Sequence, residues 1–161
     1  MSKDGGMSQS AEGILTATRE IAAPAEAIFE LIADPALQPR WDGNDNLAEA
    51  APGQRVHAVG EVFVMTNRNG GVRDNHIVAF VEGREIAWRP APHGEQPAGH
   101  QWGWELDPLE DGRTRVTHVY DYSALPPSQE KRLAKARAMT PENLLASIDR
   151  LAALAEEGGD S

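Results

Sequence analysis

HQWGWELDPLEDGRTRVTHVYDY, residues 100–122, is the stretch whose reading decides the fold. It holds two alternating runs around one turn. In the first, His100, Trp102, Trp104 and Leu106 share a face, opposed by Gln101, Gly103, Glu105 and Asp107. In the second, Val116, His118, Tyr120 and Tyr122 oppose Arg115, Thr117, Val119 and Asp121. Strand side chains point alternately to two faces, so each run reads as a half-buried strand, spanning 98–106 and 113–123. A three-residue loop at Glu110 to Gly112 pairs Trp104 with His118 and Trp102 with Tyr120. The large rings therefore share one face of an antiparallel hairpin, and that face needs a cover.

The rest of the chain supplies the sheet and the cover. Ile14 to Ile21 reads as a strand, followed by Ala22-Ala23-Pro24 and a helix carrying Ala25, Ile28, Phe29 and Ile32 at helical spacing. A second short turn runs from Pro35 to Trp41. Leu47 to Ala51 reads as an edge strand, Gly60 to Arg68 and Val72 to Val81 as a hairpin across Asn69-Gly70-Gly71, and Arg84 to Arg89 as the next strand. Pro90 to Pro97 holds three prolines and reads as a loop. Ser128 to Met139 looks helical. Thr140 and Pro141 then open a closing helix with the stripe Leu144, Leu145, Ile148, Leu151, Ala152 and Ala155. The expectation is an α+β domain over 14–157: a seven-stranded curved antiparallel sheet, five of its strands a meander, wrapped around one long C-terminal helix, with two short helices after the first strand and a cavity between sheet and closing helix. Residues 1–13 read as a disordered leader and 158–161 as a disordered tail.

Composition narrows the function. Lys and Arg total 15 against 25 for Asp and Glu, a net charge of −10, which disfavours nucleic acid and anionic membrane surfaces as partners. No apolar run approaches the ~20 residues that span a bilayer, so no integral membrane association is expected. The chain has no cysteine, which excludes disulfides and thiol chemistry. The polar start lacks signal-peptide character, so a cytoplasmic location is the default. The five histidines show no metal-ligand spacing, and there is no nucleophile elbow. No metal and no other cofactor is expected. The basic run Lys131, Arg132, Lys135 and Arg137 reads first as a solvated helix face, second as a docking patch for an acidic partner.

Strand parity places the remaining candidates. The Glu82-Gly83 turn sets Ile86 and Trp88 opposite Ala79 and Ile77; a three-residue loop at Asn69 to Gly71 sets Phe63, Met65 and Asn67 beside Ile77, Asn75 and Arg73. The other face of the 60–81 hairpin, with Val62, Val64, His76, Val78 and Phe80, is nearly as apolar, so its inward side stays open. The candidate ligand contacts are Trp41, Phe63, Met65, Asn67, Asn75, Trp88, Trp102, Trp104, Tyr122, Met139, Leu144 and Ile148. Apolar walls with few polar groups are what a small-molecule pocket needs. His118 is the candidate proton carrier, with Tyr120 beside it and Arg73 to hold an oxyanion. The competing readings are plain core packing for the tryptophans, a His118 satisfied by a tyrosine hydroxyl, and for Arg73 a surface arginine beside the Asn69-Gly70-Gly71 turn.

Ile21-Ala22-Ala23-Pro24-Ala25-Glu26-Ala27-Ile28-Phe29, Asp34-Pro35 leading to Trp41, Gly60 to Arg68, Trp88, Trp102-Gly103-Trp104-Glu105-Leu106 and the Leu144 to Glu156 helix carry a further signal. Through them, residues 14–157 resemble the SRPBCC superfamily, the START-like helix-grip proteins, and within it the bacterial polyketide cyclase/dehydrase group. The resemblance implies a seven-stranded antiparallel sheet gripping a long C-terminal helix around a hydrophobic cavity, with no catalytic residue shared across the family. It points to a binder of a small hydrophobic or aromatic, polyketide- or lipid-like molecule. The alternatives are a cyclase, aromatase or dehydratase acting on a carbonyl compound without metal or nucleotide cofactor, and a co-chaperone-like interaction module. A monomer or homodimer is expected.

Overall fold

The computed structural model describes residues 6–11 and 13–158. The strands are β1 (Gly6–Ala11), β2 (Ile14–Ile21), β3 (Leu47–Glu49), β4 (Val62–Asn67), β5 (Val72–Val81), β6 (Glu85–Pro92), β7 (Gln101–Pro108) and β8 (Thr114–Asp121). The helices are α1 (Ala25–Ala33), α2 (Gln38–Trp41), α3 (Glu130–Ala138) and α4 (Pro141–Gly158). One antiparallel sheet runs in the order β1-β2-β8-β7-β6-β5-β4-β3. The seven strands read from the sequence are all present, and the helix-grip architecture with them. The eighth, β1, corrects part of the expected leader: Gly6–Ala11 pairs with β2, Gly6 opposite Thr18 and Ser8 opposite Thr16. The remainder of that leader, 1–5 and 12, and the tail residues 159–161 lie outside the described residues.

The hairpin β7–β8 has the expected register: Trp102 opposes Tyr120 and Trp104 opposes His118. Its loop turns through Asp111 and Gly112, both at positive φ. Three other expectations change. Phe63 lies opposite Asn75 and Met65 opposite Arg73, two residues from the expected pairing, because the β4–β5 connection closes over five residues with Asn67 N–H donating to the Gly71 carbonyl at 2.7 Å. A shift of two keeps parity, so Phe63, Met65, Asn75 and Ile77 are buried. Ile86 opposes Phe80 rather than Ala79, since an irregularity between Ile77 and Ala79 inserts one residue. Val78 keeps the outward place that alternation gives it, but past the bulge Phe80 leaves that outward set and meets Phe29 edge-on at 5.6 Å. The inward face of β5 thus changes along the strand.

The third change concerns Pro90–Pro97. β6 continues through Pro90 and Pro92, paired to β5 as far as Arg73. β7 pairs with β6 only from Glu85 to Trp88. Beyond that point β6 has a free side. His93 N–H donates to Val72 O, so the alternate positions 90 and 92 point their missing donors to that free side and break no ladder. The parting of β6 from β7 opens the sheet beside His100.

α4 begins with a reciprocal cap: Thr140 Oγ1 accepts from Asn143 N–H, and Asn143 Oδ1 accepts from Thr140 N–H at 2.9 Å. Its stripe of Leu144, Ile148, Leu151, Ala152 and Ala155 is buried. The loop after α2 lies directly on it, with Gly43 N–H donating to Ser147 Oγ at 3.0 Å. A Cβ at Gly43 would stand 2.5 Å from the Ala146 carbonyl carbon. Gly43→Ala is therefore expected to destabilise by about 1–3 kcal/mol through overpacking against a helix backbone. The urea midpoint measures this; an unchanged midpoint contradicts the close approach.

Candidate functional site

A cavity of about 470 Å³ lies against the concave face of the sheet. β4 to β8 build its floor with Met65, Asn67, Asn75, Trp88, Trp102, Trp104, His118 and Tyr120. Its cover is Gln38 and Trp41 of α2, the following loop to Leu47, and Arg132, Lys135 and Met139 on and after α3. α4 contributes Ser147 to the lining. The cover is thus chiefly α3 and the α2 loop, not the long helix, because the α4 stripe is spent on the solid core.

Of the sequence-predicted residues, Arg73, His118, Tyr120, Trp41, Met65, Asn67, Asn75, Trp88, Trp102, Trp104 and Met139 line this one cavity. Phe63, Tyr122, Leu144 and Ile148 do not. Phe63 is buried behind the wall, edge-on to Trp88 at 5.3 Å. Leu144 and Ile148 are fully buried core. Tyr122 follows the end of β8, where its N–H donates to Gly13 O, and its ring lies 5.8 Å from Tyr120, packed against the core and outside the cavity lining.

The rings form a layered stack. His118 lies parallel to Trp104 at 3.7 Å and to Trp102 at 5.7 Å. Trp41 meets Trp104 edge-on at 5.2 Å and is anchored by donating from Nε1 to the Leu31 carbonyl at 2.8 Å. Trp102 sits on Tyr120 at 4.2 Å. Trp104 Nε1, by contrast, is buried without a hydrogen-bond partner among the described residues, a cost set against ring packing with His118 and Trp41.

His118 is satisfied by backbone, not by a tyrosine hydroxyl. Its Nδ1 lies 2.9 Å from the Gly103 carbonyl across the hairpin. A carbonyl only accepts, so Nδ1 carries the proton and Nε2 holds the lone pair. Among the described residues nothing bonds to Nε2. Burial pushes the His118 pKa down to about 4, only partly offset by the Gly103 bond, so the ring is neutral at physiological pH. Tyr120 is pushed up to about 12 by burial and stays a hydroxyl donor.

Three features carried no sequence signal strong enough to make them site residues. His100 sits in the alternating tryptophan run, and its ring lines the cavity 6.3 Å from Tyr120. It is buried, which pushes its pKa down to about 4, with Arg132 and Arg73 adding repulsion. Arg132 and Lys135, read as a solvated face, line the mouth. The Asp42–Leu47 loop is fixed by Asp42, whose carboxylate accepts from the amides of Asn44, Asn46 and Leu47; such a cap has no periodicity to read. Among the described residues, no three His, Asp or Glu side chains gather in a way that could hold a metal ion. No helix is long and apolar enough to cross a membrane.

An antiparallel sheet packed on a long closing helix, with an aromatic cavity on the same face beside that helix, defines a helix-grip fold of the START-like class. The chain belongs to the polyketide cyclase / dehydrase and lipid transport family, whose model matches residues 13–156. An uncharacterised protein of Mycobacterium tuberculosis is 28% identical over 115 residues, which is 70% of this chain and 49% of the relative. The chain spans about half the length of the curated relatives it matches. A START superfamily protein of Mycobacterium smegmatis superposes with a TM-score of 0.61 at 17% identity, covering 89% of this chain and 97% of its own. A protein described as putative in the dynemicin biosynthetic locus superposes with a TM-score of 0.61 at 20% identity, covering 92% of this chain and 49% of its own.

Both buried imidazoles titrate below the ordinary value near 6.5. The unfolded chain takes up their protons between pH 6.5 and about 4, and the folded chain does not. Stability is therefore full above that window and is lost as pH falls through it, with a limiting slope of roughly 1.4 kcal/mol per pH unit for each ring. Urea unfolding at pH 7, 6 and 5 measures the loss, and His118→Gln is expected to flatten it. Equal stability at pH 7 and 5 contradicts the neutral buried rings.

Proposed function

We propose that the protein binds a small hydrophobic or aromatic molecule in the cavity beneath α3. The observation that carries this reading is the composition of the wall. On the inner wall Trp41, Trp88, Trp102, Trp104, Tyr120, Met65 and Met139 supply apolar surface around Asn75, His118 and Ser147, while the other polar lining side chains come chiefly from the α2 loop, the β4–β5 hairpin and α3. Apolar walls give affinity and sparse polar groups give orientation, in a volume within the ~300–1,000 Å³ range of small-molecule sites. Membership in a family described by polyketide cyclisation and lipid transport supports the same ligand class.

The experiment is native mass spectrometry of the freshly purified protein, which is expected to show a retained small molecule. Met139→Trp, at a half-buried lining position just after α3, adds bulk to the cavity wall. It is expected to abolish retention with the melting temperature unchanged. Equal retention by the filled variant contradicts the site.

One observation favours a second reading, acid/base chemistry on a carbonyl compound. His118 offers a lone pair on Nε2 at neutral pH, in a wall that also holds Tyr120 as a proton donor and Arg73 as a cation. In that reading Nε2 takes a proton from carbon beside the carbonyl. Tyr120 or Arg73, with Asn67, holds the oxygen where charge develops. Folding the bound chain against the rings supplies the orientation. His118→Gln is expected to lower kcat by about 100-fold or more while leaving ligand retention intact. Unchanged turnover in that variant removes His118 from the chemistry.

A further inference from the structure

The cavity mouth is basic although the chain is acidic. Arg68 and Arg73 reach it from the β4–β5 hairpin, Arg132 and Lys135 from α3. The chain as a whole carries a net charge of −10. Two carboxylates share the lining, and both are engaged elsewhere. Asp42 accepts from three backbone amides of its own loop. Asp45 faces Arg150 at 3.2 Å. None of the four cations has an ion-pair partner among the described residues.

Two of them are half-buried. Arg73 and Arg132 are partly withdrawn from water, and Arg73 finds only the Val72 carbonyl at 3.3 Å. A guanidinium held partly out of water without a counter-charge loses hydration and gains nothing in return. Both line the same cavity as His100 and Tyr120, and their charge adds to the burial that opposes protonation of His100. His100 is an independent observation on the same wall. It is 5% exposed, and its Nδ1 is buried with no hydrogen-bond partner among the described residues. Trp102 and Trp104 continue the wall inward to His118.

A neutral hydrophobe fills the inner part and leaves the cations unmatched. A cationic amphiphile is repelled. A polyanion such as nucleic acid meets the negative charge of the rest of the surface. We infer that the ligand is an amphipathic anion, with one oxyanion head, carboxylate or phosphate ester, between Arg73 and Arg132, and an apolar body lying inward along Trp102. Guanidinium groups match both heads by paired N–H donors. Lys135 and Arg68 at the exposed rim add attraction at long range, which salt screens. The inference rests on the cavity reading above and specifies its ligand class.

The test uses four naphthalene probes of one shape: 2-naphthoate, 2-naphthyl phosphate, neutral 2-naphthamide and 2-naphthylmethylammonium. Each is titrated into the full chain at low and high salt, with quenching of tryptophan emission as the readout. At low salt one or both anions are expected to bind about tenfold tighter than the amide, and the tighter anion identifies the head. High salt is expected to narrow that gap. Arg73→Gln and Arg132→Gln are each expected to remove most of the preference while amide affinity stays within about twofold, which also reports that the variants are folded. An amide bound as tightly as both anions, an ammonium probe bound tightest, or variants that weaken all four probes alike overturn the anion inference and leave the cavity reading standing. Saturable binding by none of the four overturns both.

Discussion

Gly103 and His118 hold each other across the β7–β8 hairpin, and the rest of the site depends on that contact. The Gly103 carbonyl accepts the Nδ1 proton, which fixes the tautomer and turns the imidazole flat against Trp104. Trp104 in turn meets Trp41, and Trp41 is tied by its indole N–H to the end of α1. Two hydrogen bonds, one stack and one edge-on ring contact thus run from the sheet to the helices that cover it. The register of a single hairpin sets all of this. A slip of one residue would send Trp104, His118 and Tyr120 to the outer face and leave no aromatic wall.

The hollow follows from what the long helix does not cover. The buried stripe of α4 fills the space over β2 and β8 with aliphatic side chains. Over β4 to β7 the cover is a short helix, a capped loop and the largely polar α3. A helix with Ala136 as its buried residue cannot fill the volume beneath it, so rings from the sheet project into open space. The parting of β6 from β7 beyond Trp88 widens that space at its mouth. The cavity is the residue of incomplete packing, placed where cations from α3 and the β4–β5 hairpin border it.

Much of this was legible in the chain. Alternation with heavy rings at Trp102, Trp104, His118 and Tyr120 named both the inner face and the pairing, because the loop between the two strands is short and its closing residues are unambiguous. The β4–β5 hairpin was less legible. Asn69-Gly70-Gly71 marks a turn, but the ladder closes two residues earlier than that motif suggests. The bulge after Ile77 has no local signal, since both faces of β5 carry apolar residues. Leu144 and Ile148 read as cavity residues only because periodicity reports burial and not what a buried side chain touches. Arg132 and Lys135 read as solvated for the complementary reason: helical spacing shows a polar face, and only the fold shows that this face borders a hollow. β1 was illegible because Gly6–Ala11 holds no β-branched or aromatic residue to mark a strand.

The central claim is that a small molecule occupies the space between Trp102, Met65 and Met139 on the concave side of the sheet. Intermolecular NOEs from a naphthalene-sized probe test it most directly. The account predicts contacts to the Met65 and Met139 methyl groups and to the Trp102 indole. Contacts confined to convex-face residues such as Val62 and Val78, with the two methionine methyls silent, would contradict it.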